Sequence, residues 1–318
     1  MRFIVALVAG AIALAAEAQP YPSKPIRLVV PFAPGGSSSI VARVVGAEMS
    51  KELGQQIVID NKPGGGGNVA MLEVARADPD GYTLIIGHIG TLAVNPFIFS
   101  KLPFDVNKDF VAVSLLTKVP NIFVVNANVP AKDLAGFIAL ARAKPGQLNY
   151  GSAGNGSAGH LAFEYLKLVA KVDVTHVPYK GTGPQLTDLL AGRTDASSAG
   201  TPPLLPHIKA GKLRAIAVGT PQRIAVLPDV GTVAEQGFPG FETSQWYGII
   251  APAKTPDAVV RRLSAEAAKA VKTQPVLERF AADSALAVGS TPAEFSEFIR
   301  EEQTRWSEVI RKAGVRVE

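Results

Sequence analysis

A buried-strand pattern, a glycine turn and a helix pattern follow one another within residues 26–53 and constrain the fold most. The run Ile-Arg-Leu-Val-Val at 26–30 predicts a strand, and apolar residues spaced three and four apart after residue 40 predict a helix that Gly54 ends. Between them lies Pro-Phe-Ala-Pro-Gly-Gly-Ser-Ser-Ser, residues 31–39. Glycine lets backbone approach a ligand, and the free N–H groups at a helix start attract negative charge. The turn therefore predicts either an ordinary serine-capped helix start or an anion cradle.

A second turn of the same kind, Gly-Ser-Ala-Gly-Asn-Gly-Ser-Ala-Gly-His at 151–160, favours the anion cradle. It follows a strand pattern at 148–150 and precedes a helix pattern at 161–166. Residues 154–159 also match the G-x-G-x-x-G dinucleotide fingerprint. However, the turn is rich in Ser and Asn, and the acidic candidate downstream, Asp173, lies in a weak segment. Small-anion binding is the better interpretation.

Residues 1–18 have the pattern of a secretory signal peptide. Arg2 gives the positive start, residues 3–16 are apolar, and Ala16-Glu17-Ala18 fits an A-x-A cleavage site, so the mature chain is expected to begin near Gln19. The chain contains no cysteine, which excludes disulfides, thiol catalysis, cysteine-ligated metals and an N-terminal lipidation site. We expect a periplasmic protein.

Composition limits the number of domains and the kinds of binding partner that we expect. About 300 mature residues exceed what one hydrophobic core usually serves, so two domains are expected. The net charge is +5, and Lys and Arg are dispersed without a basic block, which argues against nucleic-acid binding. No metal-binding motif such as H-E-x-x-H is present, and no cofactor is expected.

Strand and helix patterns alternate along the chain in the manner of an α/β protein. Thr291-Pro-Ala-Glu294 predicts a capping box at the start of a long final helix. Strand patterns occur at residues 26–30, 57–59, 82–87, 122–125, 148–150, 172–177, 215–218 and 248–252, and helix patterns at 40–53, 69–75, 130–141 and 161–166.

Small and polar residues follow several of these strands, where ligands of open α/β sheets bind. His88 and Thr91 follow the third strand pattern. The candidate loops divide into two before residue 123 and three after it, which predicts a cleft between two α/β lobes. These loops are 31–39, 88–91, 151–160, 178–184 and 197–201.

Several ordered motifs resemble the Bug receptors, the extracytoplasmic solute receptors of tripartite tricarboxylate transporters. The resemblance covers essentially the whole mature chain. The motifs are Pro31-Phe-Ala-Pro-Gly-Gly36, Asn61-Lys-Pro-Gly-Gly-Gly-Gly-Asn68, Pro79-Asp-Gly-Tyr-Thr-Leu84, Ser152-Ala-Gly-Asn-Gly-Ser157, His176-Val-Pro-Tyr-Lys-Gly181 and Pro206-His-Ile-Lys-Ala-Gly-Lys-Leu-Arg214.

The resemblance implies a type II periplasmic binding protein with two α/β lobes and a ligand cleft between them. Lobe 1 would comprise residues 19–122 plus 242–318, and lobe 2 residues 123–241. The implied function is a monomeric receptor that captures a small carboxylate by lobe closure and passes it to the membrane components of a tripartite transporter.

Two departures from the family pattern concern the ligand. Family members frequently carry Asp where this chain has Ser39, and many carry Asp or Asn where it has Ala199. An acidic group there can pair with the ammonium of an amino acid, and its loss removes negative charge from a cleft meant for anions. We therefore expect a dicarboxylate without an amino group, with an aromatic one such as terephthalate as a further candidate, because Phe32 could stack on its ring.

Binding roles follow for the turn residues. The first lobe would hold one carboxylate through Gly35, Gly36, Ser37, Ser38 and Ser39, and the second lobe would hold the other through Ser152, Asn155, Gly156 and Ser157. Further neutral donors are His88, Thr91, Ser197, Ser198 and Thr201. His160 is expected to pack or cap its helix, and His176 and His207 to be structural.

Three other functions stay open at this point. A hydrolytic enzyme lacks support, because neither Ser37 nor Ser157 completes a G-x-S-x-G elbow and the four histidines lie in unrelated segments. The support for a dinucleotide-binding enzyme is limited to the G-x-G-x-x-G match at residues 154–159. A sensor that passes its closure to a signalling partner would share every feature of a transport receptor.

Overall fold

The structure, a computed structural model, describes residues 21–317. The predicted signal peptide and the expected mature start at Gln19 lie outside the described residues. Within residues 21–317, no helix is both long and apolar enough to cross a membrane.

One long strand, Phe110–Asn126, belongs to two sheets and joins the two halves of the molecule. Up to Pro120 it pairs antiparallel with the strand Ser244–Pro252, and from Asn121 onward it pairs with the strand Ala196–Gly200. The predicted crossing segment, residues 122–125, is therefore only the last part of a much longer strand. The lobe boundaries predicted between residues 122 and 123 and between residues 241 and 242 stay a proposal. The change of pairing strand along Phe110–Asn126 supports it.

The first lobe contains a sheet in the order β2-β1-β3-β9-β4, with the short β10 also paired to β4. Two irregular helical turns, Gly65–Gly67 and Gly90–Val94, connect its elements. Its elements are β1 (Ile26–Val30), α1 (Ser37–Leu53), β2 (Ile57–Asn61), α2 (Asn68–Ala75), β3 (Thr83–His88), α3 (Asn95–Ile98), the first part of β4 (Phe110–Asn126), and later β9 (Ser244–Pro252), α8 (Asp257–Ala270), α9 (Gln274–Ala282), β10 (Leu286–Ala287) and α10 (Pro292–Ala313).

The second lobe is inserted between β4 and β9. Its sheet has the order β4-β7-β5-β6, and β8 pairs with the other edge of β4. Its elements are α4 (Leu134–Ala143), β5 (Asn149–Ser152), α5 (Ala158–Ala170), β6 (Thr175–Pro178), α6 (Thr182–Leu190), β7 (Ala196–Gly200), α7 (Thr201–Lys209) and β8 (Leu213–Val218).

Both lobes have the predicted α/β architecture, with separate apolar cores. Strands β1 and β3 pair in parallel and are almost continuously buried, as expected for strands covered by helices on both faces. The aromatic side chains of Phe123, Phe137 and Phe163 meet in the second lobe. The lobes are thus two packed bodies that share the backbone of β4.

Several predicted segments have other bounds in the structure; for example, the strand predicted over residues 172–177 is Thr175–Pro178. Helix α4 begins at Leu134 instead of residue 130, because the Asp133 carboxylate accepts a hydrogen bond from the Gly136 N–H and caps the helix there. Residues 197–201 are not a loop, since 197–200 lie in β7 through pairing with β4 and Thr201 begins α7. The predicted turn at 178–184 becomes helical from Thr182.

The C-terminal helix α10 returns to the first lobe and is fixed by a buried carboxylate. Its predicted capping box between Thr291 and Glu294 is confirmed. At the middle of the helix, the Glu302 carboxylate accepts hydrogen bonds from the indole N–H groups of Trp246 on β9 (2.8 Å) and Trp306 (3.2 Å). Both indoles are buried, so this carboxylate satisfies two donors that water cannot reach.

We expect Glu302→Leu to lower the free energy of unfolding by about 2–4 kcal/mol, because two buried indole donors lose their acceptor. Urea unfolding followed by tryptophan fluorescence measures the change. Glu297→Leu on the same helix is the matched control, since Glu297 is exposed and pairs only with exposed Arg300. Equal stability of the two variants would contradict this account of how α10 is held.

Candidate functional site

A small buried cavity lies between the lobes where the carboxyl ends of several strands meet. It encloses about 20 Å³, which is space for about one water molecule. The described structure therefore has its lobes closed around very little free space. The cavity is lined by Phe32, Ser37, Ser38, His88, Gln245 and Tyr247 of the first lobe and by Ala153, Ser157, Ala158, Gly159, Thr182, Ser198 and Ala199 of the second.

The first lobe presents the start of α1 to this cavity. Gly36 is the N-cap in an extended conformation, with no side chain bonded to the first N–H groups. The N–H groups of Ser39 and Ile40 donate to the Gly36 carbonyl oxygen. Helix geometry leaves the N–H groups of Ser37 and Ser38 without intrahelical acceptors, and both residues line the cavity. This helix start can therefore donate to an anion.

The second lobe presents the start of α5. Ser157 is its N-cap and accepts a hydrogen bond from the His160 N–H through Oγ (3.4 Å). The next two residues, Ala158 and Gly159, line the cavity, and their N–H groups are again among those that helix geometry leaves free. A side chain at Gly159 would overlap the Ser198 carbonyl oxygen of β7, so glycine allows the close packing of α5 on that strand.

The electrostatic potential in the cavity comes from dipolar groups, because no charged side chain lines it. None of its lining residues is Asp, Glu, Lys or Arg. His88 is 3% exposed, its Nδ1 accepts from the Gly90 N–H (2.8 Å), and burial lowers the pKa of its imidazole to about 3. Within residues 21–317 its Nε2 has no hydrogen-bond partner. His88 is thus neutral at physiological pH and carries its proton on Nε2, as a donor.

Aromatic rings form one wall of the cavity. The ring centroid of Phe32 lies 4.7 Å from that of His88, and the His88 centroid lies 6.4 Å from that of Tyr247. Tyr247 donates to Gln245 Oε1, and Gln245 Nε2 donates to Asn121 Oδ1 (2.8 Å) at the point where β4 passes between the sheets. Burial raises the pKa of Tyr247, so its hydroxyl stays protonated.

The structure brings together six of the predicted binding residues at the cavity wall, namely Phe32, Ser37, Ser38, His88, Ser157 and Ser198. The Ser198 hydroxyl is buried and has no hydrogen-bond partner within the described residues. It is therefore free to bond to a ligand. Their roles in binding a ligand stay predictions.

Other predicted residues lie just outside the wall, and several use their side chains within the protein. Ser39 Oγ accepts from Asn61 Nδ2 (2.8 Å), and Ser197 Oγ accepts from Gln185 Nε2 (2.6 Å). Thr91 bonds to the backbone of His88, and Ser152 Oγ bonds to His176 Nε2 (2.7 Å). Outside the cavity wall as well are Gly35, Gly36, Asn155, Gly156 and Thr201.

Sequence reasoning missed the two polar residues that β9 contributes to the wall, Gln245 and Tyr247. They lie two residues apart on β9 and so point to the same face of the sheet. The strand was predicted only over residues 248–252, so residues 244–247 were not recognised as part of it. Ala153, Ala158, Gly159 and Thr182 lie in predicted candidate loops but were not predicted as binding residues. Ala199, which was predicted to lie near the ligand, does line the cavity.

The rim of the closed cleft consists of backbone contacts between glycine-containing turns of opposite lobes. The Ala33 N–H donates to the Lys180 carbonyl oxygen (3.0 Å). A Cβ atom on Gly183 would overlap the Pro34 carbonyl oxygen, and one on Gly90 would overlap the Gly156 carbonyl oxygen. Glycine at these positions lets the two lobes meet backbone to backbone, and the closed state depends on it.

Comparison with known families gives one match over most of the chain. The family described as "Tripartite tricarboxylate transporter family receptor" matches residues 41–315. The protein BugT of Bordetella pertussis is 35% identical over 312 residues, which cover 98% of this chain and 96% of BugT.

Solved structures with high similarity include two with bound ligands. A protein of R. palustris with adipate has 36% identity and a TM-score of 0.90, and covers 93% of this chain and 99% of its own. MatC from Rhodopseudomonas palustris with bound malate has 38% identity and a TM-score of 0.88, and covers 91% and 100%. The periplasmic binding protein BugD has 31% identity and a TM-score of 0.91, and covers 94% and 100%. The type II periplasmic-binding-protein fold is therefore confirmed.

We expect the buried His88 to make stability fall with acid. The pKa of His88 is about 3 when folded and about 6.5 when unfolded, so its contribution is fully present above pH 6.5 and is lost as pH falls toward 3. Between pH 6 and pH 4, the free energy of unfolding of wild type should fall by about 1.4 kcal/mol more per pH unit than that of His88→Gln. Urea unfolding at pH 7, 6, 5 and 4 measures both slopes, and every other titrating group is shared. Identical slopes would contradict the neutral, buried state of His88.

Proposed function

This chain belongs to the tripartite tricarboxylate transporter receptor family, and from that premise we propose that it captures a dicarboxylate lacking an amino group. Its family and structural neighbours are solute receptors, so the chain is a solute-binding receptor and not an enzyme, which removes the hydrolytic and dinucleotide-binding alternatives. We further propose that it works as a monomer in the periplasm and delivers its ligand to the membrane components of a tripartite transporter.

One observation carries the proposal: the starts of α1 and α5, from opposite lobes, both line a cavity without a charged side chain. Helix N-termini bind carboxylates through free N–H groups and the helix dipole. Hydrogen bonds to a charged group contribute about 1.5–3 kcal/mol each, so several neutral donors can replace a salt bridge. One helix start in each lobe fits a ligand with a carboxylate at each end.

The solved relatives support two carboxylates and no ammonium. Adipate and malate, bound by the two R. palustris proteins, are both dicarboxylates without an amino group. In this chain the Ser39 hydroxyl is engaged by Asn61 and Ala199 lines the cavity, so neither position supplies an acidic partner for an ammonium. The fixed tautomer of His88 likewise presents a donor.

An aromatic dicarboxylate such as terephthalate is the second candidate, because Phe32, His88 and Tyr247 form a wall on which a planar ligand could lie. Residues of both lobes line the cavity, so capture requires an open state that closes around the ligand. A signalling partner could recognise the same closed state. Growth of a receptor-deletion strain on the ligand distinguishes transport from sensing.

The direct test uses protein refolded from denaturant, so that carried-over ligand is removed, and a panel of carboxylates. Adipate, malate and terephthalate are compared with monocarboxylates and with α-aminoadipate, which differs from adipate by one ammonium group. A ligand at 100 times its Kd adds about 2.7 kcal/mol of stability, which raises Tm by roughly 5 °C. A shift with dicarboxylates alone supports the proposal. A shift in Tm with α-aminoadipate overturns the proposal. The absence of a shift with every carboxylate also overturns it.

We expect Ala199→Asp to weaken adipate binding at least tenfold and to improve the ratio of α-aminoadipate to adipate affinity, because it places a carboxylate in the cavity wall. Titration calorimetry with both ligands measures this ratio. Ala199→Asn is the matched control, since it has the same shape without the charge. An unchanged ratio in Ala199→Asp would show that residue 199 does not face the ligand.

We expect Gly183→Ala to weaken adipate binding at least tenfold while leaving the unfolding of the ligand-free protein nearly unchanged. The added methyl group would overlap Pro34 of the other lobe only when the cleft closes. Gly231→Ala in the second lobe is the control, because the atoms nearest to its methyl group belong to Gln236 and Glu235 of the same lobe. Normal affinity in Gly183→Ala would mean that the ligand-bound lobes do not meet at this rim.

A further inference from the structure

The loop between β5 and α5, residues 153–157, is held by hydrogen bonds at both of its ends. Near its start, the Gly154 N–H donates to Ser152 Oγ (3.1 Å). Near its end, the Gly156 N–H donates to Nδ1 of His160 (3.1 Å), and the Ser157 N–H donates to the Gly154 carbonyl oxygen (3.0 Å). The conformation that precedes the start of α5 is therefore defined by side chains of Ser152 and His160.

Both of these side chains connect to one column of stacked rings. His160 stacks on His176 with centroids 4.2 Å apart and planes 26° apart, and His176 stacks on Tyr150 at 4.8 Å and 22°. Tyr150 in turn stacks on Phe163 at 4.2 Å and 10°. His176 Nε2 is hydrogen-bonded to Ser152 Oγ (2.7 Å). The two histidines thus support opposite ends of the loop from a single rigid base.

The hydrogen bond from Gly156 requires a neutral imidazole, because Nδ1 can accept only when it carries no proton. Burial lowers the pKa of His160 to about 4 and that of His176 to about 3. The titratable groups that face the pair are Glu164 and Lys167 on α5 and Tyr150 on β5, whose hydroxyl donates to Glu164 (2.6 Å). The acceptor is therefore present at neutral pH and is lost in acid.

The position of this loop matters for the cleft. Gly156 has a positive φ of 75°, and a Cβ atom there would overlap Asn95 Oδ1 of the first lobe. The Gly156 carbonyl oxygen lies against Gly90, next to His88 in the cavity wall. A small displacement of Gly156 would therefore change the contact between the lobes. It would also move the N–H groups of Ala158 and Gly159 that follow.

We propose that His160 and His176 are positioning residues: they hold the β5–α5 loop in the one conformation in which the start of α5 faces the ligand and the lobes can close. The inference rests on the proposed function, in which this helix start binds a carboxylate. Neither histidine lines the cavity, so their effect on the ligand is exerted through the loop.

The test compares His160→Leu, which removes the acceptor, with His160→Asn, whose Oδ1 can take the place of Nδ1. Adipate affinity is measured by calorimetry at pH 7 on refolded protein. His160→Leu should raise Kd at least tenfold, and His160→Asn should stay within threefold of wild type. If both variants lower Tm but neither changes Kd, the histidine is only a packing residue and the proposal is wrong.

The pH dependence of the Kd for adipate is a second measurement, and it would not change if His160 were only a packing residue. Below pH 5, the Kd of wild type should rise more steeply than that of His160→Asn, because protonation of His160 removes the acceptor only in wild type. Titration of adipate itself is common to both proteins and cancels in the ratio of their Kd values. A ratio that does not change between pH 7 and pH 4 would overturn the proposal.

A ligand-free measurement separates this inference from the proposed function. Hydrogen exchange of the Gly156 amide, followed by NMR, should be slow in wild type and His160→Asn and at least tenfold faster in His160→Leu. If wild type binds no dicarboxylate, the proposed function fails, and the exchange rates still decide whether His160 holds the loop. Equal exchange in all three proteins rejects the role of His160 by itself.

Discussion

Strand β4 hydrogen-bonds to β9 in one lobe and to β7 in the other, so a single stretch of backbone fixes where the two sheets end relative to each other. The carboxyl ends of β1 and β5 then deliver α1 and α5 to the same cleft. At the change of partner, Gln245 of the cavity wall bonds to Asn121 of β4. The cavity wall is therefore hydrogen-bonded directly to the strand that joins the two lobes.

The electrostatic character of the cleft follows from the same arrangement. Backbone N–H groups, hydroxyls and a neutral imidazole supply donors whose positions are set by the fold, and no lining residue carries a charge. A buried Lys or Arg would have to be desolvated each time the lobes close, at a cost of several kcal/mol. Dipolar donors avoid much of this cost, which suits the proposed cycle of closing on an anion and releasing it. The glycine-rich rim fits the same proposal, because glycine there lets the backbones of the two lobes meet.

Local sequence signals predicted the elements that carry their own start and stop patterns, such as β1, α1 with Gly54 at its end, and the capping box of α10. The signals failed where tertiary pairing decides the conformation. Residues 196–200, Ala-Ser-Ser-Ala-Gly, have no strand pattern and become β7 because β4 pairs with them. Predicted binding residues line the cavity where they lie at helix starts, as at Ser37 and Ser157. Gln245 and Tyr247 were missed because they reach the cleft only through the return of β9 from a distant part of the chain.

A crystal structure with bound adipate tests the central claim most directly, since the claim concerns which atoms hold the two carboxylates. The account predicts oxygens of one carboxylate within about 2.7–3.2 Å of the N–H groups of Ser37 or Ser38, and oxygens of the other within that distance of Ala158 or Gly159. A carboxylate held by a lysine or arginine side chain, or both carboxylates on one lobe, would contradict it.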